Sequence, residues 1–304
     1  MAKLKLGLYW AATCGGCDVA ALADIVFWPI ALDFKKHHVE AMKDKEIDIT
    51  LWNGAVRSSE HEEMAHLLRA KSKAMVAFGA CACFGGIPAL GNFTNKSEIF
   101  ERVYITAPSS DNPNKVFPQT KTKVAEGDLT LPEMWDTVLA LGQVVDVQYY
   151  IPGCPPTVPI ILKVVEAIAG NALPPPGAVI AGEKTLCDEC PRKKEEKKIA
   201  RIYRSHELIP VPEKCLLEQG LVCMGPATRG GCGALCINAN MPCRGCFGPP
   251  PGVYDQGAKM LSALASIYEA SDEKEIARMV DEMVDPAGTF YRFGMSTSML
   301  KRKR

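Results

Sequence analysis

Apolar residues alternate with polar or small ones at Leu4, Leu6 and Leu8, the period of a short strand, and this segment runs straight into a Cys14-Gly-Gly-Cys17 turn. Asp18 is then placed to cap a helix through about Leu32. Ile47 to Trp52 reads as a second strand, and Ser59 with Glu62 makes a capping box that opens a helix through about Ala70. Ala74 to Gly79 has the unbroken apolar character of a buried third strand and ends at Cys81-Ala-Cys83-Phe-Gly-Gly. From Pro88 to Pro132 turn residues dominate and no period persists, which predicts an inserted loop. Leu131 to Leu141 has helical spacing and Val145 to Ile151 reads as a strand. Pro152-Gly-Cys154-Pro-Pro ends that strand before an apolar helix through about Gly170. Strand and helix thus alternate, which predicts an α/β fold with a doubly wound, largely parallel sheet over the first 175 residues.

Pro174-Pro-Pro-Gly177 is a stiff punctuation mark, and the composition changes after it. The division expected is residues 1–175 as one domain and 178–304 as a second, in keeping with a length of 304 residues. Residues 187–246 hold eight cysteines among prolines and glycines with little periodicity, as expected where metal centres replace an ordinary core. Helical spacing returns over 254–284, with Met260, Leu261 and Leu264 on one face and a second run from Asp272 to Val284. The ending Lys301-Arg-Lys-Arg304 reads as a solvated tail.

Composition narrows the function classes. Thirty-five basic residues balance thirty-five acidic ones, so no net field draws in nucleic acid or an anionic membrane. Apolar residues at 47% and charged ones at 23% argue against disorder, collagen or a simple coiled coil. No run reaches the length of a spanning helix, since even Val158 to Val165 is broken by Lys163. The start reads as a strand rather than a signal peptide, with no twin-arginine address, so a cytoplasmic protein without a membrane anchor is expected.

The cysteines carry the chemistry. Thirteen in a chain with no export signal are expected to serve metals or catalysis rather than disulfides. Cys14, Cys17, Cys81 and Cys154 all follow predicted strands, at the sheet edge where sites of doubly wound folds gather. A cubane iron-sulfur cluster needs four thiolates, and paired Cys-x-x-Cys turns supply neighbouring ones from a single loop. Twelve cysteines divide into three such sets: Cys14, Cys17, Cys81 and Cys154; Cys187, Cys190, Cys215 and Cys223; Cys232, Cys236, Cys243 and Cys246. Zinc is the competing reading for Cys187-x-x-Cys190 alone, and a thioredoxin-like redox pair for Cys14 and Cys17. Neither accounts for three sets in one chain. Cys81 and Cys83 are two residues apart, and either is placed to bind. His37, His38, His61, His66 and His206 lack ligand spacing, and there is no Gly-x-Gly-x-x-Gly after the first strand and no P-loop.

Four motifs give the chain a resemblance to the small subunit of NiFe hydrogenases: Cys14-Gly-Gly-Cys17, Gly79-Ala-Cys81 with Phe84-Gly-Gly86, Pro152-Gly-Cys154-Pro-Pro156, and Cys223-Met-Gly-Pro-Ala-Thr-Arg-Gly-Gly-Cys232. The resemblance implies a flavodoxin-like domain holding a proximal cluster on Cys14, Cys17, Cys81 and Cys154. A smaller, irregular iron-sulfur domain with C-terminal helices would hold a distal cluster on Cys187, Cys190, Cys215 and Cys223 and a medial one on Cys232, Cys236, Cys243 and Cys246. It favours Cys81 over Cys83 as ligand. Many members carry histidine where Cys187 stands and lack a counterpart of Cys236, so three 4Fe-4S cubanes are expected here.

With the export signal and anchoring tail missing, the chain is similar to the cytoplasmic methyl-viologen-reducing type. The cluster-bearing subunit of complex I fits less well. The resemblance implies a non-catalytic electron-transfer subunit of a hydrogen-oxidising oxidoreductase. Its partners would be a large subunit holding the nickel-iron centre, a further electron-accepting subunit and heterodisulfide reductase. Arg229, beside Cys232, is a candidate for tuning the adjacent cluster. The alternatives are a relay of the same build without hydrogen chemistry, and a structural zinc protein.

Overall fold

The computed structural model describes residues 4–12, 24–170, 172–196, 198–270 and 272–302. Six strands form one parallel sheet: β1 (Lys5–Trp10), β2 (Asp24–Phe27), β3 (Ile47–Asn53), β5 (Ser72–Phe78), β9 (Tyr149–Ile151) and β10 (Ala178–Val179). They lie in the order β2-β1-β3-β5-β9-β10, the flavodoxin-like winding in which the chain reverses direction between β1 and β3. β3 and β5 are buried along nearly their whole length because both faces are covered. On one face the helix Ser59–Lys71 places Met64 and Leu68 against Trp52 and Met75. On the other, Ile160 and Val164 of the helix Val158–Ala169 pack on Ile49, Val76, Phe78 and Ile151.

Several expectations shift. The residues expected to begin a helix at Asp18 lie largely outside the described ones, and Asp24–Phe27 is a strand on the sheet edge. Ile25, Val26 and Phe27 suit it, and β1 supplies the ladder. The cap of the Ser59–Lys71 helix is Ser58, whose hydroxyl accepts from His61 N at 3.3 Å. Ser59 sits one residue inside and takes the Glu133 N–H at 3.0 Å instead.

Leu131 to Leu141 is no helix. Met134–Leu139 forms β8, antiparallel to β4 (Val56–Ser58). The buried Asn92 side chain donates to Val138 O at 3.0 Å and accepts from Val138 N at 2.8 Å, so a distant amide completes the strand's bonding. The expected loop before it contains structure of its own. There is a 3-10 turn over Ile87–Phe93, a helix over Lys96–Glu101 capped by Asn95, and a solvent-facing hairpin of β6 (Lys121–Val124) and β7 (Gly127–Thr130).

After the proline run, β10 extends the sheet by two residues. Among the described residues of 186–246 the helical structure is confined to single turns, such as Leu186–Glu189 and Leu235–Asn238. Gln256–Ala265 and Glu273–Glu282 are helices capped by Asp255 and Asp272. Met260 and Leu264 face inward as expected, but Leu261 is 44% exposed. One apolar cluster unites the two halves: Leu216, Leu221, Met260 and Leu264 pack with Ala55, Cys81, Ala89 and Val138. Among the described residues no helix is long and apolar enough to cross a membrane. Lys301 is exposed at the end of the chain, and the last two residues lie outside the description.

Candidate metal centre

Parallel strands deliver their following loops to one edge, and two cysteine-bearing loops meet there. Beyond β5, Gly79 at φ +88° turns the chain into a single helical turn, Ala80–Phe84, which carries Cys81 and Cys83. Beyond β9, Gly153 at φ +130° leads to Cys154 and a cis bond to Pro155. Gly79 N donates to Ile151 O at 2.8 Å and Ala80 N to Gly153 O at 2.7 Å, so the two loops are sewn together. The chain leaving β1 reaches the same edge, where Ala12 and Ala55 exchange backbone hydrogen bonds at 3.0 Å. Cys14 and Cys17 follow directly and lie outside the described residues.

Cys81 and Cys83 point to different surroundings. Cys81 packs in the cluster shared with the carboxy-terminal half, whereas Cys83 packs among Trp52 and Met75 beneath the sheet. The Cys83 thiol is 3% exposed and donates to Ala77 O at 3.3 Å. Gly86, at φ +58°, is pressed against Cys81 so closely that a Cβ there would lie 2.5 Å from its sulfur. The Gly85-Gly86 pair was visible in the sequence, but its function as a cradle was not.

The second set is assembled from three loops. Cys187, Cys190, Cys215 and Cys223 line one small recess walled by Leu216, Leu217, Pro226 and Ile237. Cys215 N donates to Lys193 O at 2.8 Å, and Leu186 N to Thr228 O at 2.8 Å, which pins the loops. The buried Arg192 guanidinium binds Val211 O at 2.8 Å, Lys214 O at 3.0 Å and Ile237 O at 3.3 Å, tying together backbone 19 to 45 residues away. Nothing in the local sequence marked Arg192 for this. Burial pushes the Cys187 thiol up to about 12, opposed by Lys194 and reinforced by the other three sulfurs; burial raises Cys223 likewise. The Cys187 and Cys223 thiols are therefore neutral at pH 7, and a metal group must displace their protons to bind.

Cys232, Cys236, Cys243 and Cys246 form the third set. Burial pushes Cys246 up to about 12; the Cys154 amide donates to its sulfur and opposes the rise, while Cys232 and Cys236 lie near enough to add to it. Burial also raises Cys243 and Cys232. Cys243 N donates to Cys223 Sγ at 3.3 Å, and Gly245 N to Cys243 Sγ at 3.4 Å. Amide-to-sulfur bonds thus connect Cys154 to the third set, and the third set to the second, in series. Such bonds favour the thiolate over the thiol and tune any cluster held there.

The donor sets are all thiolate and fit an iron-sulfur cluster. Zinc requires four sulfurs on one point at about 2.3 Å each. The four sulfurs of the second set border one recess, the kind of all-thiolate donor set that holds an iron-sulfur cluster. Arg229 donates to Gly182 O at 3.1 Å and Pro249 O at 3.3 Å, so its guanidinium braces loops. His37, His38, His66 and His206 are exposed, and His61 accepts from Arg57 N at 3.3 Å.

Residues 14–168 match the family model described as NADH ubiquinone oxidoreductase, 20 Kd subunit. The chain is 41% identical over 318 residues to an F420-non-reducing hydrogenase iron-sulfur subunit of Archaeoglobus profundus, covering 99% of this chain and 98% of that protein. It is 36% identical to an F420-non-reducing hydrogenase subunit of Methanothermobacter thermautotrophicus, covering 99% of this chain and 97% of that one. Among solved structures it is similar to the [NiFeSe] hydrogenase of Desulfovibrio vulgaris Hildenborough at 17% identity and a TM-score of 0.48, over 82% of this chain and 95% of that one.

Proposed function

Because the chain belongs to the family of F420-non-reducing hydrogenase iron-sulfur subunits, the small-subunit type, we propose that it is the non-catalytic electron-transfer subunit of a cytoplasmic NiFe hydrogenase. Three 4Fe-4S clusters would supply one-electron redox chemistry, held by Cys14, Cys17, Cys81 and Cys154 (proximal), Cys232, Cys236, Cys243 and Cys246 (medial), and Cys187, Cys190, Cys215 and Cys223 (distal). Residues 1–175 would form the proximal domain and 178–304 the medial and distal one.

The serial arrangement of the sets carries this reading. The Cys154 amide reaches Cys246, and the Cys243 amide reaches Cys223, so each set adjoins the next. The protein's own contribution is to bury the sulfurs, aim amides at them and hold their spacing. Cys154 is itself exposed at the sheet edge. A cluster there calls for a large subunit, bearing the nickel-iron centre, to cover it. At the other end, a further electron-accepting subunit and heterodisulfide reductase are the proposed route onward.

Metal and acid-labile sulfide analysis of the native complex purified without oxygen tests the proposal. About twelve irons in this chain, with nickel in its partner, are expected. The same iron without nickel would replace hydrogenase by a relay without hydrogen chemistry, and zinc in place of iron would refute both.

A further inference from the structure

Beside the cysteine-rich loops, four segments line a second and larger recess of about 300 Å³, partly open to solvent. Its basic side chains are Arg204, His206, Arg244 and Arg292. Arg244 and Arg292 are half-buried and near enough to repel each other, while the Cys223, Cys243 and Cys236 sulfurs attract Arg244. Each guanidinium is oriented by one bond: Arg244 Nη2 donates to Ser205 Oγ at 2.9 Å, and Arg292 Nε to Gly288 O at 2.8 Å. Among the described residues no carboxylate is within ion-pair reach of Arg204, Arg244 or Arg292.

Of the two acids on the wall, Glu282 is paired with arginines outside the recess, whereas Asp285 keeps its charge. Glu282 lies between Arg201 Nε at 3.9 Å and Arg278 Nε at 3.8 Å and accepts from Ile202 N at 2.9 Å. Asp285 accepts from Gly288 N at 2.8 Å. With Glu282 offset by Arg201 and Arg278, the three arginines Arg204, Arg244 and Arg292 stand against Asp285 alone, an excess of roughly two positive charges at neutral pH. Like charges gathered half out of water are compensated by an anion, and a guanidinium fork matches an oxyanion edge in two parallel hydrogen bonds.

We propose that this recess is a binding site for a phosphoryl dianion, whether inorganic phosphate or the phosphate of a small metabolite. A charge of about −1.5 to −2 at pH 7 answers the excess in a way that a single carboxylate does not. The recess is lined by no cysteine, although Arg244 stands between Cys243 and Cys246, so the site borders the proposed medial cluster.

Calorimetric titration of inorganic phosphate into the native complex tests it. Saturable one-to-one binding is expected, weakened about tenfold or more by Arg292→Gln and by Arg244→Gln. Arg244 adjoins Cys243, so Arg204→Gln on the exposed rim keeps the test alive should the former fail to fold; a loss of about threefold is expected there. Adenosine monophosphate in a second arm separates the sources. Binding about tenfold tighter than phosphate identifies a phosphorylated metabolite, and equal binding identifies the free oxyanion. Absence of saturable binding by the complex overturns the proposal, as does binding that all three substitutions leave unchanged. Binding that appears only after the partner subunits are removed also overturns it, because the recess is then occupied by a partner's acidic segment.

Discussion

Replacing Gly86 by alanine should damage the proximal site out of proportion to the single methyl added. Gly86 lies at φ +58° and ψ −156°, a region that residues with a Cβ scarcely enter, and holding alanine there costs about 1–3 kcal/mol. The new Cβ would stand 2.5 Å from Cys81 Sγ, 2.7 Å from Cys81 Cα and 3.0 Å from Cys81 N. Turning the sulfur aside removes only the first of these contacts, because the other two are backbone. Relief requires the Cys81 turn to move, adding about 1–3 kcal/mol of overpacking. The total, roughly 2–6 kcal/mol, is a large share of an ordinary folding free energy. At about 2 °C per kcal/mol for a chain of this size, thermal unfolding should fall by roughly 4–12 °C. Displacement of Cys81 should also lower bound iron by about four per chain, on the proposed ligand set. Gly127→Ala is the control: its φ is +141°, but nothing lies within 4 Å of the added Cβ, so only the backbone cost of about 1–3 kcal/mol applies and iron stays constant. Iron analysis with scanning calorimetry on both variants decides. A Gly86→Ala protein with wild-type iron, melting no lower than Gly127→Ala, would refute the cradle.

Cys223→Ser should remove about four irons per chain, whereas Cys83→Ser, which keeps a donor toward Ala77 O, should cost about 1 kcal/mol and no iron; equal iron loss would undo the assignment. Asp255 is buried and accepts from both Ala258 N and Met299 N at 2.9 Å, so Asp255→Ala should lower stability by about 2–4 kcal/mol in denaturant titrations, with hydrogen exchange rising near residue 299. Burial holds the His61 imidazole below its usual 6.5, so the unfolded chain takes up a proton that the folded chain refuses. Its stabilising effect is therefore complete above about pH 6.5 and is lost as pH falls below it, by about 1.4 kcal/mol per unit of depression. Unfolding free energies measured from pH 5 to 7.5 should accordingly slope less in His61→Gln than in the parent, and parallel slopes would contradict this.

Much of the amino-terminal half was legible in the sequence. β1, β3 and β5 are short apolar runs ended by Gly or Cys turns, and the helices over 59–71 and 158–169 carry their own start signals, so local periodicity suffices for them. The placing of cysteines after strands was equally readable, because parallel strands must send their following loops to one edge. β8 was misread as a helix, since the partners that make it a strand are β4 and Asn92, neither adjacent in sequence. β2 depended likewise on the edge of β1, and Leu261 turned outward because the core lies against Met260 and Leu264.

By itself, then, the sequence determined the elements whose hydrophobic period is self-contained, the cysteine turns and the motifs that identify the family. Only the tertiary structure decided the serial order of the cysteine sets, in which an amide at 154 meets a sulfur at 246 and an amide at 243 meets one at 223. It likewise decided the arginine recess, drawn from segments near 204, 244 and 292. The reason is that a contact between residues tens of positions apart leaves no period in the chain. It exists only once burial of the shared core has brought those segments together.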